Sequence, residues 1–440
     1  MKMLSLLHRF RRDRKGATVV VFMGTLLGML GSAAMVIDVG NVYVARRALQ
    51  SSTDSAALAG ASEINCCSAQ PGKALTTATA YSAASGQANA SARWAVTMAS
   101  GFPQFRCLAT IGVPCGGSDS ANAIVVSQSA VVPTYFAALF GLTTWTVNVT
   151  STASLAGGTP TPVDMMVIVD TTGSMNTADP QCDVANQSRL GCAMAGGRNL
   201  LSGLAPSAQQ TGLMVFPGTA TAADAAKNYD CSTSSPTITK YSANPVYSIL
   251  GLGSDFRTSD GATSLNTSSN IVKAFKGGAA GCQQGMSAVG GVGTYYADVL
   301  AQAQASLVAN GRANVQKAII LLSDGDATAS SSNIAPAKFA NQCSQAVAVA
   351  AAAKAAGTKI YTVAYGAPTS ATGSCQSETV AMSACTTLKN IASDASTFYS
   401  SSDGSGGTCG STNPATGLSS ILGNIALQFR KTRLLPNNTV

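Results

Sequence analysis

The chain has 440 residues, of which 46% are hydrophobic and only 10% are charged, and its formal net charge is +8. About five of those positive charges fall in the first 16 residues, so the rest of the chain is nearly balanced and offers no basic face for nucleic acid. The length exceeds that of one ordinary domain, which predicts two folded units with connecting segments.

A basic segment precedes a long apolar segment at the start of the chain. Residues 1–16 form a basic tail, and residues 17–37 follow without a charge. This is the length that a helix needs to cross a bilayer, and it exceeds the apolar core of a cleaved signal peptide, which is the alternative interpretation. Because Lys and Arg stay on the cytoplasmic side, we predict a single-pass protein in which everything after Asp38 lies outside the inner membrane. Its N-terminus is cytoplasmic and its C-terminal domains are periplasmic.

Two features of this region are compatible with an oligomer. Residues 38–61 keep small or apolar side chains near helical spacing, which predicts a helical stalk continuous with the span. The stalk fits lateral packing of several chains and a solvated helix leading to a domain equally well. Gly24 and Gly28 form a GxxxG pair that permits close helix packing, although glycine is common in membrane spans.

All twelve cysteines lie beyond the span. An even number in an oxidising compartment favours disulfides. The preferred pairs, chosen for their short spacing, are Cys182–Cys192 and Cys375–Cys385. Four earlier cysteines are expected to pair among themselves: Cys66, Cys67, Cys107 and Cys115. Zinc sites are the alternative, but the sequence has no CxxC and its only histidine, His8, lies in the cytoplasmic tail.

Residues 62–156 predict a small α+β domain. Apolar and polar residues alternate in TTWTVNVTST, which is typical of a strand with one buried face. Upstream of it, Pro133 marks the expected start of a helix and Gly141 its end. The buried stripe of that helix is expected at Phe136, Leu139 and Phe140. We find no chemical constellation here, so the domain is interpreted as a structural module.

A different pattern begins after the Gly- and Pro-rich linker of residues 157–162. Short apolar strands alternate with helical stretches over residues 163–430, which predicts an α/β domain with a mainly parallel sheet covered on both faces. A long insert over about residues 217–293 is expected to form loops held by a disulfide between Cys231 and Cys282. Residues 431–440 are interpreted as a tail.

Three loops of this domain carry oxygen ligands to one edge of the predicted sheet. The first strand ends in Asp170, Thr172 and Ser174, Thr294 precedes a helix, and Asp324 ends an apolar strand. In open α/β sheets the ligand lies beyond the carboxyl ends of the strands. Two carboxylates and three hydroxyls suit a divalent cation, with Mg²⁺ favoured over Mn²⁺ or Ca²⁺. The alternative is that the hydroxyls serve only hydrogen bonds within the loops.

These residues resemble the metal-ion-dependent adhesion site (MIDAS) of the von Willebrand factor type A domain, which reads DxSxS, then a distant Thr and an Asp. Here the first loop is DTTGS, and Thr172 keeps the hydroxyl of the usual Ser. The resemblance covers about residues 163–430 and implies a doubly wound, Rossmann-like sheet. It implies direct ligation by Thr172, Ser174 and Thr294, with Asp170 and Asp324 acting partly through water. One coordination position remains for an Asp or Glu of a protein partner.

A second resemblance covers the amino-terminal part, in RRDRKGATVVVFMGTLL, VIDVGNVYVARRALQSSTDSAALAGA and VPTYFAALFGLTTWTVNVTSTASL. These segments resemble the TadE/TadG-like membrane stem of TadG-type proteins in the tight-adherence (Flp) pilus assembly system. The resemblance implies an inner-membrane assembly protein whose A domain mediates metal-dependent interaction with a protein of the envelope or pilus machinery. KG before the apolar run resembles a prepilin peptidase site, but Val21 stands where a Glu is expected, so no processing is predicted.

Other functions fit the sequence less well. Without a histidine beyond the span, Ser-His and Cys-His nucleophile pairs cannot form there, so no enzyme is predicted. GGVGT, before Tyr295, lacks the GK[ST] ending of a nucleotide-binding P-loop. The alternative function is an adhesin that binds a surface or matrix ligand through the same metal, and a retained inner-membrane span favours assembly over surface display.

Overall fold

The architecture is that of a computed structural model. It describes residues 14–64, 72–108, 119, 121–155, 160–179, 182, 184, 187–262, 264–323, 326–366, 375, 378–401, 409–411, 413–414, 417–429 and 432–436. The molecule is mixed α/β, with one long apolar N-terminal helix and two sheets, one of them rich in parallel strands. Most of the basic tail, residues 1–13, lies outside the described residues.

Helix α1 (Arg14–Ser62) runs without a break for 49 residues, or about 74 Å at 1.5 Å per residue. It includes both the apolar segment and the expected stalk. Among the described residues it is the one helix long and apolar enough to cross a membrane.

The first sheet packs against the part of α1 that follows the apolar segment. Its strands are β1 (Ala95–Met98), β2 (Gln104–Arg106), β3 (Ala123–Pro133), β4 (Thr144–Ser154) and β12 (Arg433–Leu435), and α2 (Lys73–Ala80) packs beside it. All pairings in this sheet are antiparallel. Ile124 and Val126, near the start of β3, cluster with Ala57 and Ala61 of α1. Nearer the end of β3, Ala130 and Val132 cluster with Ala45 and Leu49, so β3 runs back along α1 towards the apolar segment.

Two features of the first sheet differ from the sequence-based expectation. The helix expected from Pro133 is absent, because β3 continues through Pro133 and pairs with β4 there. Only a short 3₁₀ turn, Ala137–Phe140, follows, and the expected buried stripe is exposed: Leu139 is 80% and Phe140 87% accessible. The expected tail, residues 431–440, contains β12, whose residues Arg433–Leu435 pair with β4.

The second sheet has seven strands in the order β11-β10-β9-β8-β5-β6-β7. They are β5 (Val163–Asp170), β6 (Gln209–Thr219), β7 (Val246–Gly253), β8 (Gln316–Ser323), β9 (Lys359–Tyr365), β10 (Phe398–Ser401) and β11 (Asn413–Pro414). Every pairing is parallel except that between β6 and β7.

Helices cover both faces of this sheet because its central strands are apolar on both sides. Along β5, Met165 and Val167 belong to one core cluster, while Met166 and Ile168 belong to the other. The first cluster includes side chains of α3 (Arg189–Gly203), α5 (Asn270–Ala274) and α10 (Leu418–Gln428). The second includes side chains of α6 (Ala297–Asn310), α8 (Gln342–Ala355) and α9 (Ala384–Ile391). The remaining short helices are α4 (Ala222–Ala226) and α7 (Pro336–Phe339).

The disulfides confirm two of the expected pairs and correct a third. Cys182–Cys192 and Cys231–Cys282 are bonded as predicted. The expected Cys375–Cys385 pair is wrong: the structure contains Cys343–Cys375 and Cys385–Cys409. The tertiary fold brings these more distant partners to Cα separations of 5.6 and 5.5 Å, so short spacing did not decide the pairing. Cys107 is disulfide-bonded, and Cys66, Cys67 and Cys115 lie outside the described residues.

Candidate metal centre

Asp170 ends β5, and its side chain is fully buried. One carboxylate oxygen accepts the backbone N–H of Thr172 at 2.9 Å and the Thr172 hydroxyl at 2.6 Å. The other accepts the hydroxyl of Ser323, the last residue of the neighbouring strand β8, at 2.8 Å. The loop after β5 therefore folds back to hydrogen-bond Asp170, and the last residue of β8 hydrogen-bonds the same carboxylate.

The two hydroxyls that follow Asp170 lie side by side. Thr172 Oγ1 is 3.0 Å from Ser174 Oγ, and Ser174 lies in the 3₁₀ turn Gly173–Asn176. Thr172 is buried, whereas Ser174 is exposed. Oxygen atoms of a carboxylate and two hydroxyls thus form a short row that leads from the core to the surface.

A glycine-rich loop brings Thr294 to the same edge. Val289 N donates to Thr171 O at 3.0 Å, and Gly290 lies against Gly173 so closely that a Cβ on either would be 3.5 Å from the other's Cα. Gly293 has a φ of +76°, and a Cβ there would lie 2.6 Å from Thr328 O. Glycine is therefore required at position 293 for both conformation and space.

Thr294 itself is buried just before α6. Its backbone N–H donates to Thr328 Oγ1 at 3.1 Å, and its carbonyl accepts from Thr328 N at 2.9 Å. Two loops, those before α6 and after β8, are thus joined at the residue that the sequence predicts as a ligand.

The predicted ligands fall into two groups. Thr172 lies within hydrogen-bonding distance of both Asp170 and Ser174, and Thr294 lies in the loop that packs on theirs. Asp324 lies outside the described residues, one residue after Ser323. Ser323, the last described residue before it, donates its hydroxyl to the Asp170 carboxylate.

Asp326, two residues after Asp324, is buried. Burial raises the pKa of its carboxyl to about 6, while backbone N–H groups of Ala327 and Cys375 act in the opposite direction and the charge of Glu378 adds to the rise. Asp326 therefore gains a proton more readily than an ordinary aspartate.

Two buried tyrosines lie next to the glycine loop and strand β6. Tyr241 donates its hydroxyl to Gly293 O at 2.6 Å, and Tyr296 packs edge-on against Phe216, with ring centroids 5.9 Å apart. Burial raises the pKa of both phenols well above the ordinary value, and the charge of Asp170 adds to the rise. Tyr241 therefore remains a neutral donor that holds the backbone of the glycine loop at Gly293.

Sequence reasoning missed Ser323 and Thr328. Ser323 is the only hydroxyl at the end of the apolar run AIILLSD, and a polar side chain directly before a candidate ligand on a buried strand is the signal that could have identified it. Thr328 follows Asp324 by four residues in a loop, where the sequence offers no periodicity to indicate a contact with Thr294.

Two other clusters combine acids with cysteines: Asp326 with Cys343 and Cys375, and Asp179 with Cys182 and Cys192. In each cluster the two cysteines are bonded to each other. Thiolate ligation requires a free thiolate, so neither cluster offers a sulfur-ligated metal site.

Comparison with protein families gives a match to the Tad model, described as putative Flp pilus-assembly TadE/G-like, over residues 16–63. The matched residues cover almost the whole of α1, including the apolar segment and the residues that follow it. No curated protein matches the sequence.

Solved structures give distant likenesses. The pilus adhesin SpaC of Lactobacillus rhamnosus GG is 16% identical with a TM-score of 0.38, and the match covers 70% of this chain and 34% of SpaC. The pilus adhesin RrgA of Streptococcus pneumoniae is 12% identical with a TM-score of 0.34, covering 71% of this chain and 48% of RrgA. Proximal thread matrix protein 1 of the mussel byssus, with a zinc-occupied MIDAS motif, is 14% identical with a TM-score of 0.31, covering 63% of this chain and 48% of that protein. The chain thus spans about a third of SpaC and half of the other two.

Proposed function

We propose that the chain is an inner-membrane assembly protein of the TadG type in a Flp (Tad) pilus system. In this proposal α1 anchors it, and the second sheet is a periplasmic von Willebrand factor A-type domain that binds an envelope or pilus protein through a divalent cation. The match of residues 16–63 to the TadE/G-like family supports the pilus context. The role is interaction rather than catalysis, since the sequence has no histidine beyond His8.

The row of oxygens from Asp170 to Ser174 carries the metal-binding part of the proposal. Its separations, 2.6 Å between Asp170 Oδ1 and Thr172 Oγ1 and 3.0 Å between the two hydroxyls, bracket the spacing of about 2.9 Å between neighbouring ligands of an octahedral Mg²⁺ at 2.0–2.1 Å. The donors are hard oxygens, as Mg²⁺ requires. The residues present therefore fit such an ion, with Thr294 and Asp324 completing the proposed ligand set.

The exposure gradient supports a role in binding a partner. Asp170 and Thr172 are buried while Ser174 is at the surface, so a cation held by this row has protein on one side and solvent on the other. A hard cation with an accessible position attracts a carboxylate. The chemistry that fits is an Asp or Glu side chain on the surface of another protein.

Metal binding is tested first, by calorimetric titration of the detergent-solubilised full chain with Mg²⁺. We expect binding by the wild type and by Ser330→Ala, which removes an exposed hydroxyl outside the site, and loss of binding in Thr294→Ala. Unchanged Mg²⁺ affinity in Thr294→Ala would refute the ligand set.

Partner binding is tested with a photo-reactive residue at Thr177, which is exposed three residues beyond Ser174. In cells with Mg²⁺, we expect cross-links to proteins of the pilus-assembly apparatus that disappear with Thr294→Ala and persist with Ser330→Ala. Cross-links that survive in Thr294→Ala would mean that the interaction does not pass through the metal. Cross-links only to surface or matrix components would favour an adhesin.

A further inference from the structure

The loop between β3 and β4 presents apolar side chains outward at the point where α1 leaves its apolar segment. Leu139 and Phe140 are the most exposed, and Leu142, Trp145 and Tyr135 are also exposed. An apolar cluster of this kind on a protein surface marks a contact with a protein, a ligand or a membrane.

The loop is a fixed structure. Thr134 N donates to Thr143 O at 3.1 Å, Leu142 N donates to Ala137 O at 3.1 Å, and the Thr134 hydroxyl donates to Leu142 O. Gly141 ends the 3₁₀ turn with a φ of +88°. The exposed side chains are therefore held outward by a hydrogen-bonded backbone.

Asp38 fixes the level of this loop along α1. Its carboxylate accepts three consecutive backbone N–H groups, of Tyr135 at 2.7 Å, Phe136 at 3.0 Å and Ala137 at 2.7 Å. Desolvation raises the pKa of Asp38, but these donors outweigh it and hold the pKa below the ordinary value. Asp38 is the first charged residue after the apolar segment, so the loop is attached where α1 would emerge from the hydrocarbon.

The loop extends from Asp38 towards the apolar segment. Between loop and helix lies an apolar groove of about 960 Å³, lined on one side by Leu139, Phe140 and Trp145 and on the other by α1 residues from Leu27 to Val42. Leu27 precedes Asp38 by eleven residues, or about 16 Å of helix, which is about half of the hydrocarbon thickness. The groove thus runs along the part of α1 that lipid would surround.

We propose that residues 135–145 form a second membrane contact, in which Leu139 and Phe140 enter the periplasmic leaflet beside α1 and lipid acyl chains fill the groove. The backbone of Tyr135 is bonded to Asp38 and Trp145 lines the groove that reaches Asp38, and tryptophan and tyrosine side chains favour the membrane interface. The inference rests on the proposed membrane span of α1. It attaches the first sheet to the bilayer at two points instead of one.

The two tryptophans of the chain supply a matched pair of native probes. Trp145 lines the groove, whereas Trp94 lies beside Leu49 and Ser52, about 16 Å of helix beyond Asp38. The full chain is reconstituted into phosphatidylcholine vesicles with or without bromine on the acyl chains. We expect bromolipid to quench Trp145 in the Trp94→Phe variant and to leave Trp94 unquenched in the Trp145→Phe variant.

Insertion of Leu139 and Phe140 into the bilayer is tested by Phe140→Trp in a chain with both native tryptophans changed to Phe. Met29→Trp, in the middle of the apolar segment, is the positive control, and Val308→Trp, exposed on α6, is the negative control. We expect a blue-shifted emission from Trp at position 140 that bromolipid quenches about as strongly as that from position 29.

The outcomes separate this inference from the anchor on which it rests. Quenching at position 29 without quenching at position 140 would overturn the loop contact and leave the span intact. A blue-shifted but unquenched emission at position 140 would also overturn it, because protein, such as a second copy of the chain, would then cover that position. No quenching at position 29 would refute the span itself.

Discussion

Strand β5 carries a buried aspartate near each end, and the two are satisfied in different ways. Asp164, near the amino end, receives a guanidinium: Arg312 donates Nε at 2.8 Å and its backbone N–H at 2.6 Å. Asp170, at the carboxyl end, receives the hydroxyls of Thr172 and Ser323 and an amide. Both carboxylates are fully buried, yet one is paired with a fixed cation and the other is surrounded by groups that can themselves ligate one.

The difference separates a closed end of the sheet from an open end. The Arg312 guanidinium also donates to Ala208 O at 2.7 Å, so it links the amino ends of β5 and β6. The charge of Asp164 is thus already balanced without a bound ligand. A hydroxyl that donates to a carboxylate still has a lone pair on its oxygen, and a metal can bind that lone pair. Removing the guanidinium should therefore cost stability, and removing a hydroxyl should cost ion binding.

The largest expected effect is at the closed end. Arg312→Ala leaves Asp164 buried without its cation, and we expect the free energy of unfolding to fall by about 3 kcal/mol. Lys338→Ala, which breaks a more exposed pair with Asp298, should cost no more than about 1 kcal/mol. Urea unfolding of the solubilised chain measures both, and equal losses would contradict the distinction between buried and exposed pairs.

The second effect distinguishes the two aspartates directly. Mg²⁺ at about 100 times its dissociation constant should stabilise the wild type by about 2.7 kcal/mol. We expect Asp170→Asn to lose this Mg²⁺-dependent rise in thermal midpoint. Asp164→Asn should be less stable in the absence of metal but keep the rise. If Asp170→Asn also keeps it, the open end is not the metal site.

A smaller effect is expected from the residue that holds Asp170 from β8. Ser323→Ala removes the hydroxyl that donates to its carboxylate, and loss of such an orienting partner lowers metal affinity by about tenfold or more. Calorimetric titration with Mg²⁺ measures the change. Ser323→Thr, which keeps a hydroxyl, is the control and should bind more tightly than the alanine variant.

The smallest expected effect concerns the loop of Thr294. Thr328→Val removes the hydroxyl that accepts the Thr294 N–H, a hydrogen bond with a net contribution of about 1 kcal/mol. We expect faster amide hydrogen exchange at Thr294 with little change in the thermal midpoint, whereas Thr328→Ser should exchange as the wild type does. Unchanged exchange in the valine variant would mean that the glycine loop holds Thr294 without help.

Sequence predicted those parts of the fold that depend on strong local patterns. The uninterrupted apolar run of β5 indicated a strand covered on both faces, and its alternate residues do belong to two core clusters. The uncharged segment before Asp38 indicated one long helix. Burial of a strand on both faces and the continuity of a helix depend on residues that are neighbours in the chain, so a short stretch of sequence is enough to predict them.

Features that depend on partners distant in the chain were not predictable in this way. The spacing of Phe136, Leu139 and Phe140 is the same whether these side chains face a protein core or lipid. The attachment of their loop to Asp38, at the end of the apolar segment, is what distinguishes the two. The three residues of β12 show no periodicity, and their pairing with β4 arises only in the tertiary structure. Cys375 is bonded to Cys343 because the fold juxtaposes them.

The candidate site shows the same division. Asp170, Thr172 and Ser174 are close because they share one turn, which a motif can encode. Ser323 lies 153 residues from Asp170 in sequence, and its contact with that carboxylate depends on the pairing of β5 with β8. The ligand roles of Asp170, Thr172, Ser174, Thr294 and Asp324 stay a prediction that the Mg²⁺ titrations address.

The pairing of β12 with β4 has a mechanical consequence. The chain leaves the first sheet at Ser154, builds the second sheet, and returns to pair Arg433 with Ser154 itself. A tensile load applied at the edge that carries Asp170 would therefore leave the second sheet through two chain segments, one that continues into β4 and one that ends in β12, which is hydrogen-bonded to β4. The load is shared between them, and it pulls on a strand that is hydrogen-bonded on both sides, to β3 and to β12. Such an attachment resists extraction of the second sheet more than a single linker would.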